Sequence, residues 1–250
     1  MSDLTAWPVM TGRAVRLSLR NLDALLTSFL LPVLVMLLFV YLFGGAIQTG
    51  VDYVTYAVPG ILVMCASYGA SLTAVAVSHD MSRGIVDRFR SMDVGGGAFL
   101  GGHVAAGTVR NLTSLAIVFA VAFLLGFRAD AGLSGWAAAV GVLVAFVLAM
   151  SAVSALVGLL AKTPEVAGGF TFLVMFLPYP SSAFVPVHTM PAWLHGFAEN
   201  QPATPIIESV RGLLLDRPVG SDPWKALAWC GGLLLISAIF SGRMFRHRAR

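Results

Sequence analysis

Long apolar runs free of charge, separated by short polar stretches, dominate this chain. A bilayer core about 30 Å thick needs about 20 helical residues at ~1.5 Å each. Runs 24–47, 53–78 and 131–161 meet that length without a charge. Run 111–127 does so when extended backward past Arg110. Run 166–187 is apolar but interrupted by Pro178, Pro180 and Pro186, and 226–241 follows the lead-in Pro223-Trp224-Lys225. The pattern predicts an all-α integral membrane protein: one domain over 1–250, with six transmembrane helices near 25–46, 56–78, 106–127, 136–160, 165–180 and 224–242. The prolines of the fifth imply a break, which membrane depth tolerates only where protein or a cavity satisfies the backbone.

Three further segments carry a different pattern. Over 11–22, Arg13, Arg16 and Arg20 share one stripe while Val15, Leu19 and Leu22 lie mostly on another. This reads as an interfacial helix with its arginines toward anionic headgroups, or as a plain extension of the first span. Over 79–93, Met81, Ile85, Phe89 and Met92 form an apolar stripe at helical spacing, opposite Arg83, Asp87 and Arg90. Such a short amphipathic helix fits a groove on a soluble partner or a lipid surface equally well. Gly95-Gly96-Gly97 and Gly101-Gly102 then read as a flexible elbow into the third span. The long segment 178–222 holds repeated prolines, Trp193 and Phe197, and reads as one or two short re-entrant or surface helices, or as a structured loop.

Composition agrees with a bilayer solvent. The chain is 58% hydrophobic and 11% charged, against about 25% charged in soluble domains. Of 16 basic residues, only Arg128, Arg211, Arg217 and Lys225 fall in the segments that would be outside if the N-terminus is inside. That bias predicts cytoplasmic N- and C-termini. The first apolar run is too long for a signal peptide and reads as an uncleaved anchor. The charges form no continuous basic stripe, so nucleic acid is not an expected partner. Cys65 and Cys230 both lie in apolar runs and read as small packing residues rather than a disulfide.

Chemistry-bearing patterns are absent. Ala161-Lys162-Thr163 lacks the glycines of a phosphate-binding loop. The five histidines have no metal-ligand spacing, and Ser181 and Ser182 near His188 lack an acid to complete a triad. The spans hold almost no ionisable residue, with Asp23 and Arg110 placed near inner ends. That argues against an ion-coupled carrier, which keeps acids at membrane depth. Ala66, Ala70 and Ala74, like Ala145, Ala149 and Ala152, give the small-residue spacing that close helix packing needs.

Three motifs carry a resemblance. They are Tyr56-x-x-Pro59-Gly60-Ile61; Arg83-Gly84-Ile85-Val86-Asp87-Arg88-Phe89-Arg90-Ser91-Met92; and a third running from Phe184-Val185-Pro186 through Met190-Pro191-x-Trp193-Leu194 and Asn200-Gln201-Pro202-x-Thr204-Pro205 to Glu208-x-x-Arg211-Gly212-Leu213. Over nearly its whole length the chain resembles the membrane subunit (permease) of bacterial ABC exporters, in the branch of the daunorubicin-resistance permeases and polysaccharide exporters.

The resemblance implies a multi-pass protein of the bacterial inner (plasma) membrane. It would pair with a second permease, as a homodimer or heterodimer, and with two copies of a cytoplasmic ATP-binding subunit. ATP and Mg would sit on that partner, and this chain would bind no cofactor and have no ATPase site. The helix around Met81, Arg83, Gly84, Ile85, Asp87, Arg88, Phe89, Arg90 and Met92 would be the coupling element docked on the ATPase. One departure from the family pattern is Asp93, where a proline often follows that helix. Re-entrant helices after the fifth span would close the exit, with Ser181, Phe184, Met190 and Trp193 as an outer gate. A hydrophobic or amphipathic small molecule would suit a path lined by Met64, Tyr68, Phe170, Phe172, Met175 and Phe176. The alternatives are a polysaccharide or glycolipid permease and, from another class, a non-transporting membrane anchor or assembly factor.

Overall fold

The computed structural model describes residues 12, 22–47, 49–83 and 96–247. Among them the regular structure is helical, without strands. Helix α1 (Leu22–Leu38) runs into a π-helical turn (Phe39–Phe43), followed by α2 (Tyr53–Ser82), α3 (Gly96–Leu124), α4 (Leu133–Leu160) and α5 (Pro164–Phe176). A 3-10 turn (Val187–Thr189) leads to α6 (Ala192–Asn200), α7 (Ala203–Leu214) and α8 (Asp222–His247). Five of the described helices are long and apolar enough to cross a membrane: Leu25–Phe43, Tyr53–Ser82, Phe99–Leu124, Leu133–Leu160 and Asp222–Met244. The segment expected as the fifth span differs. It is a 13-residue helix, about 20 Å long at ~1.5 Å per residue, and turns carry the chain over 177–184. The prolines explain the stop, because Pro178 and Pro180 have no N–H to continue the ladder.

Helix boundaries follow local chemistry. Thr163 caps α5 by accepting the Val166 N–H at 3.4 Å, and Pro164 occupies the first helical turn. Helix α3 ends where Gly126 adopts φ +101°, letting the Phe127 N–H reach back to the Ala122 carbonyl at 2.9 Å. That is the left-handed helix stop that glycine permits.

Helix α2 runs through the middle of the bundle, packed by α1, α3, α4, α5 and α7. Its Ala66, Ala70 and Ala74 are completely buried. A methyl group on Gly158 of α4 would lie 2.4 Å from the Ala74 carbonyl oxygen, and one on Gly107 of α3 would lie 2.3 Å from Thr73 Oγ1. At Gly158, α4 therefore meets the α2 backbone directly, and at Gly107, α3 leaves room for the Thr73 side chain, as small residues allow. Helices α1, α5 and α8 instead present broad apolar faces: Leu26, Leu30 and Leu34; Phe172, Leu173 and Phe176; Leu235, Ile236 and Ile239. Faces of that kind need lipid or another subunit against them.

Two expectations change. The glycines at 96, 97, 101 and 102 are not an elbow; they belong to α3. Phe99 and Leu100 are buried against Val77, Ala155 and Leu159, and that packing outweighs the ~1 kcal/mol helix cost of each glycine. Arg110 consequently sits at the midpoint of Gly96–Leu124, deep in the bundle rather than near an end. The segment 178–222 resolves into α6 and α7. Helix α7 packs against α2, α4, α6 and α8, so Arg211 is buried and not an exposed loop charge.

Candidate functional site

The non-helical stretch after α5 sits against the start of α2. Its carbonyls have no regular ladder to accept from, so they need side-chain donors. Four residues outside the stretch supply them. Tyr53 Oη donates to the Phe184 carbonyl at 3.1 Å, and Tyr56 Oη donates to the Ser182 carbonyl at 3.0 Å. Gln201 Nε2 donates to the Pro180 carbonyl at 2.8 Å. Arg211 Nη2 donates to the Ser182 carbonyl at 2.7 Å and to the Tyr56 carbonyl at 3.1 Å, while its Nε also points at the latter at 3.3 Å.

Arg211 is the hub of this knot. Its guanidinium lies 3.9 Å from the centre of the Tyr56 ring and forms an ion pair with Glu208 one turn earlier on α7. Arginine suits the position because its planar fork can serve several acceptors and an aromatic face at once. Gly60 lets the stretch approach: a methyl group there would lie 2.6 Å from the Ala183 backbone. The first and third motifs, far apart in sequence, thus meet in one place.

Of the expected outer-gate residues, Ser181 and Phe184 lie in this knot. Ser181 Oγ donates to the Pro178 carbonyl and accepts the Ala183 N–H. Phe184 stacks on Phe39 at 4.2 Å. Met190 is half-buried, with its carbonyl 2.8 Å from His195 Nε2, and Trp193 of α6 is exposed. The six expected path residues do not come together as one lining. Met64 is completely enclosed in the core, on a face of α2 covered by its neighbours, and packs there in this conformation. Tyr68, Phe170 and Met175 are half-buried, whereas Phe172 and Phe176 project from the bundle on α5.

At the opposite end, Met81 packs beside Val77 and Phe99, and Arg83 is exposed just past α2. The expected docking residues Gly84, Ile85, Asp87, Arg88, Phe89, Arg90 and Met92 lie outside the described residues, as does most of the 11–22 segment. The helices flanking that stretch are tied together: His103 Nε2 of α3 is 3.2 Å from Asp80 Oδ2 of α2, and the His103 ring packs edge-on against Phe99.

A polar belt crosses the middle of the bundle. Arg110 Nη2 donates to the Gly69 carbonyl at 3.2 Å, Asn111 Nδ2 to the Ala66 carbonyl at 2.7 Å, and the Ser28 and Ser114 hydroxyls are 2.5 Å apart. These contacts pin α3 to α2 and α1 to α3. Sequence reasoning did not assign roles to Tyr53, Gln201, Arg110 or the His103–Asp80 pair. A signal existed for Arg211 and Arg110, since an ionisable residue inside an apolar stretch is costly unless paired. No local signal marks Tyr53, and Gln201 stands in the third motif without a role.

Comparison with known proteins places this architecture. The chain is 30% identical over 226 residues to the daunorubicin resistance ABC transporter permease protein DrrB1 of Streptomyces coeruleorubidus, covering 90% of this chain and 80% of that one. It is 24% identical over 233 residues to the probable doxorubicin resistance ABC transporter permease protein DrrC of Mycobacterium tuberculosis, covering 92% of this chain and 84% of that one. The sequence profile of the ABC-2 type transporter family matches residues 5–215, and the chain, with its apolar crossing helices and its buried arginine knot, belongs to that family of membrane-spanning permease subunits.

Proposed function

We propose that this permease forms the translocation path of an ATP-driven exporter for a hydrophobic or amphipathic small molecule: a drug, an antibiotic or a lipid-like metabolite. The observation that carries the reading is the match, over most of both chains, to permeases named for daunorubicin and doxorubicin resistance. ABC-2 permeases work with ATP-binding subunits. Two such subunits would bind ATP and Mg on the cytoplasmic side, and a second permease, identical or related, would complete the membrane part. This chain supplies no ATPase chemistry of its own.

The protein would sit in the bacterial inner membrane with both termini cytoplasmic, as the distribution of its basic residues favours. The described ends of α2 and α3, tied by His103 and Asp80, would hold the coupling helix of residues 83–92 between them. The arginine knot would then lie outside, so that Ser181, Phe184, Met190 and Trp193 stand at the exit. ATP-driven closure of the soluble subunits would move the coupling helices. The membrane halves would then rock between inward- and outward-facing states, and cargo would bias that balance only by its different affinity for the two. Half-buried Tyr68, Phe170 and Met175 are the remaining candidates for the path, with Phe172 and Phe176 facing the second subunit or lipid.

The test is co-purification with the cognate ATP-binding protein, comparing wild type with Phe89→Asp, which puts a charge into the apolar docking stripe. Capture by wild type and loss in the inserted mutant are expected. Equal capture by both would reject the 83–92 helix as the main docking element.

A further inference from the structure

Where α6 ends and α7 and α8 begin, a pocket of about 520 Å³ opens to the surface. Glu199 and Asn200 come from the last turn of α6, Pro205 from the first turn of α7, and Lys225, Ala228 and Trp229 from the first two turns of α8.

The pocket holds both signs of charge, kept apart. Among the described residues, the ion pair that Lys225 makes is with Asp222 on its own helix, Nζ to Oδ1 at 3.5 Å, and not with Glu199 across the pocket. The helix ends reinforce the division. The C-terminal end of α6 adds partial negative charge beside Glu199, and the N-terminal end of α8 adds partial positive charge beside Lys225. Asn200 Nδ2 donates to the Gly196 carbonyl at 2.8 Å, so its Oδ1 is a second acceptor on the negative side. A lone anion would be opposed by Glu199, and a lone cation by Lys225. A zwitterion with N–H donors on its cation satisfies both walls, in one direction only.

Depth selects the molecule that carries this zwitterion. Helix α8 is long and apolar enough to cross the membrane over Asp222–Met244. Lys225 stands in its first turn, and Trp229 lies ~6 Å further toward the hydrocarbon at ~1.5 Å per residue. Trp229, with Trp193 and Phe197 on α6, is exposed. Exposed aromatic rings of this kind mark the headgroup level of a bilayer. A phosphate beside Lys225 would put the glycerol and ester groups of a phospholipid beside Trp229.

We infer that the α6–α7–α8 pocket binds the headgroup of a zwitterionic phospholipid bearing a primary ammonium, with its phosphate at Lys225 and its ammonium at Glu199 and Asn200. Such a site needs the crossing helices but not the exporter role.

The full-length permease in detergent would be titrated with phosphatidylethanolamine and, separately, with phosphatidylglycerol, which has the phosphate but no ammonium. Native mass spectrometry reads the bound lipid. Saturable binding is expected, tighter for phosphatidylethanolamine. Glu199→Gln should weaken phosphatidylethanolamine about two- to fivefold, the range of an exposed ion pair, without weakening phosphatidylglycerol. Lys225→Gln should weaken both lipids, and Lys225→Arg should keep both. Arg217→Gln removes an exposed charge at the same end of the bundle but outside the pocket and should change neither. All three residues are exposed, so equal thermal midpoints without lipid are expected and separate lost binding from lost folding. Unsaturable uptake indifferent to the headgroup would overturn the inference. So would a Glu199→Gln protein that keeps its preference for phosphatidylethanolamine. Glycerophosphoethanolamine, the same headgroup without acyl chains, should displace the lipid only at far higher concentration. Displacement at equal concentration would reject a lipid in favour of a soluble zwitterion.

Discussion

Arg211 shows how one side chain can hold a broken helix in place. The stretch after α5 exposes carbonyls at 180, 182 and 184, and water is scarce where they lie. Arg211 serves Ser182 and Tyr56 together, is held by Glu208, and packs on the Tyr56 ring. Hydrogen bonds to a charged group contribute roughly 1.5–3 kcal/mol each, and stranding buried acceptors adds to the loss. Arg211→Leu should therefore lower the thermal midpoint of the detergent-solubilised protein markedly, by more than Glu208→Gln does. Arg211→Lys should recover part of the loss, since it keeps the charge but not the planar fork. Fluorescence-detected size exclusion after a heating series reads this directly. A midpoint unchanged in Arg211→Leu would mean that the knot does not carry the packing of this region.

The helices depend on close crossings more than on bulk. At the α2–α4 crossing a side chain on Gly158 would strike the Ala74 carbonyl, and nearby Val77 would also stand in the way. Gly158→Leu has no room unless the helices separate, and overpacking of this kind costs typically 1–3 kcal/mol or more. The expected outcome is a sharp drop in monodisperse protein at equal membrane expression. Gly141, on the same helix with open space around its Cα, provides the contrast: Gly141→Leu should be tolerated. If both substitutions behave alike, the crossing is not as close as described. The glycines at the start of α3 follow the same logic, since their helical state comes from Phe99 and Leu100 packing on α2 and α4.

The assembled bundle has two chemically different ends. One carries the arginine knot and the short helices α6 and α7; the other carries the His103–Asp80 tie beside the 84–95 stretch. The proposed orientation, with both termini cytoplasmic, would put the first outside. Trp193 and Arg243 are both exposed, while the two native cysteines are buried and free. A membrane-impermeant maleimide should therefore label Trp193→Cys in intact cells, and Arg243→Cys only after permeabilisation. The reverse pattern would invert the orientation and, with it, the placement of the exit.

Length and charge alone were enough to establish that the chain is helical and crosses a bilayer. A run of about 20 apolar residues is a local property, and it leaves few other solutions. The Tyr56, Phe184 and Arg211 motifs were legible too, but only as separate strings. That they meet depends on the stretch after α5 folding back onto Gly60, a contact between residues more than 120 positions apart that no periodicity encodes. Where a boundary was set by competition, tertiary packing decided it. The glycines of α3 became helix because partners bury Phe99 and Leu100, and that choice moved Arg110 to the middle of its helix. Met64 looks like any path-lining residue in the sequence, and only the enclosure of α2 by its neighbours shows it as core. The α6–α7–α8 pocket has no sequence signature at all, because Glu199 and Lys225 stand far apart in the chain and reach one opening only through the packing of α7 on α6 and α8.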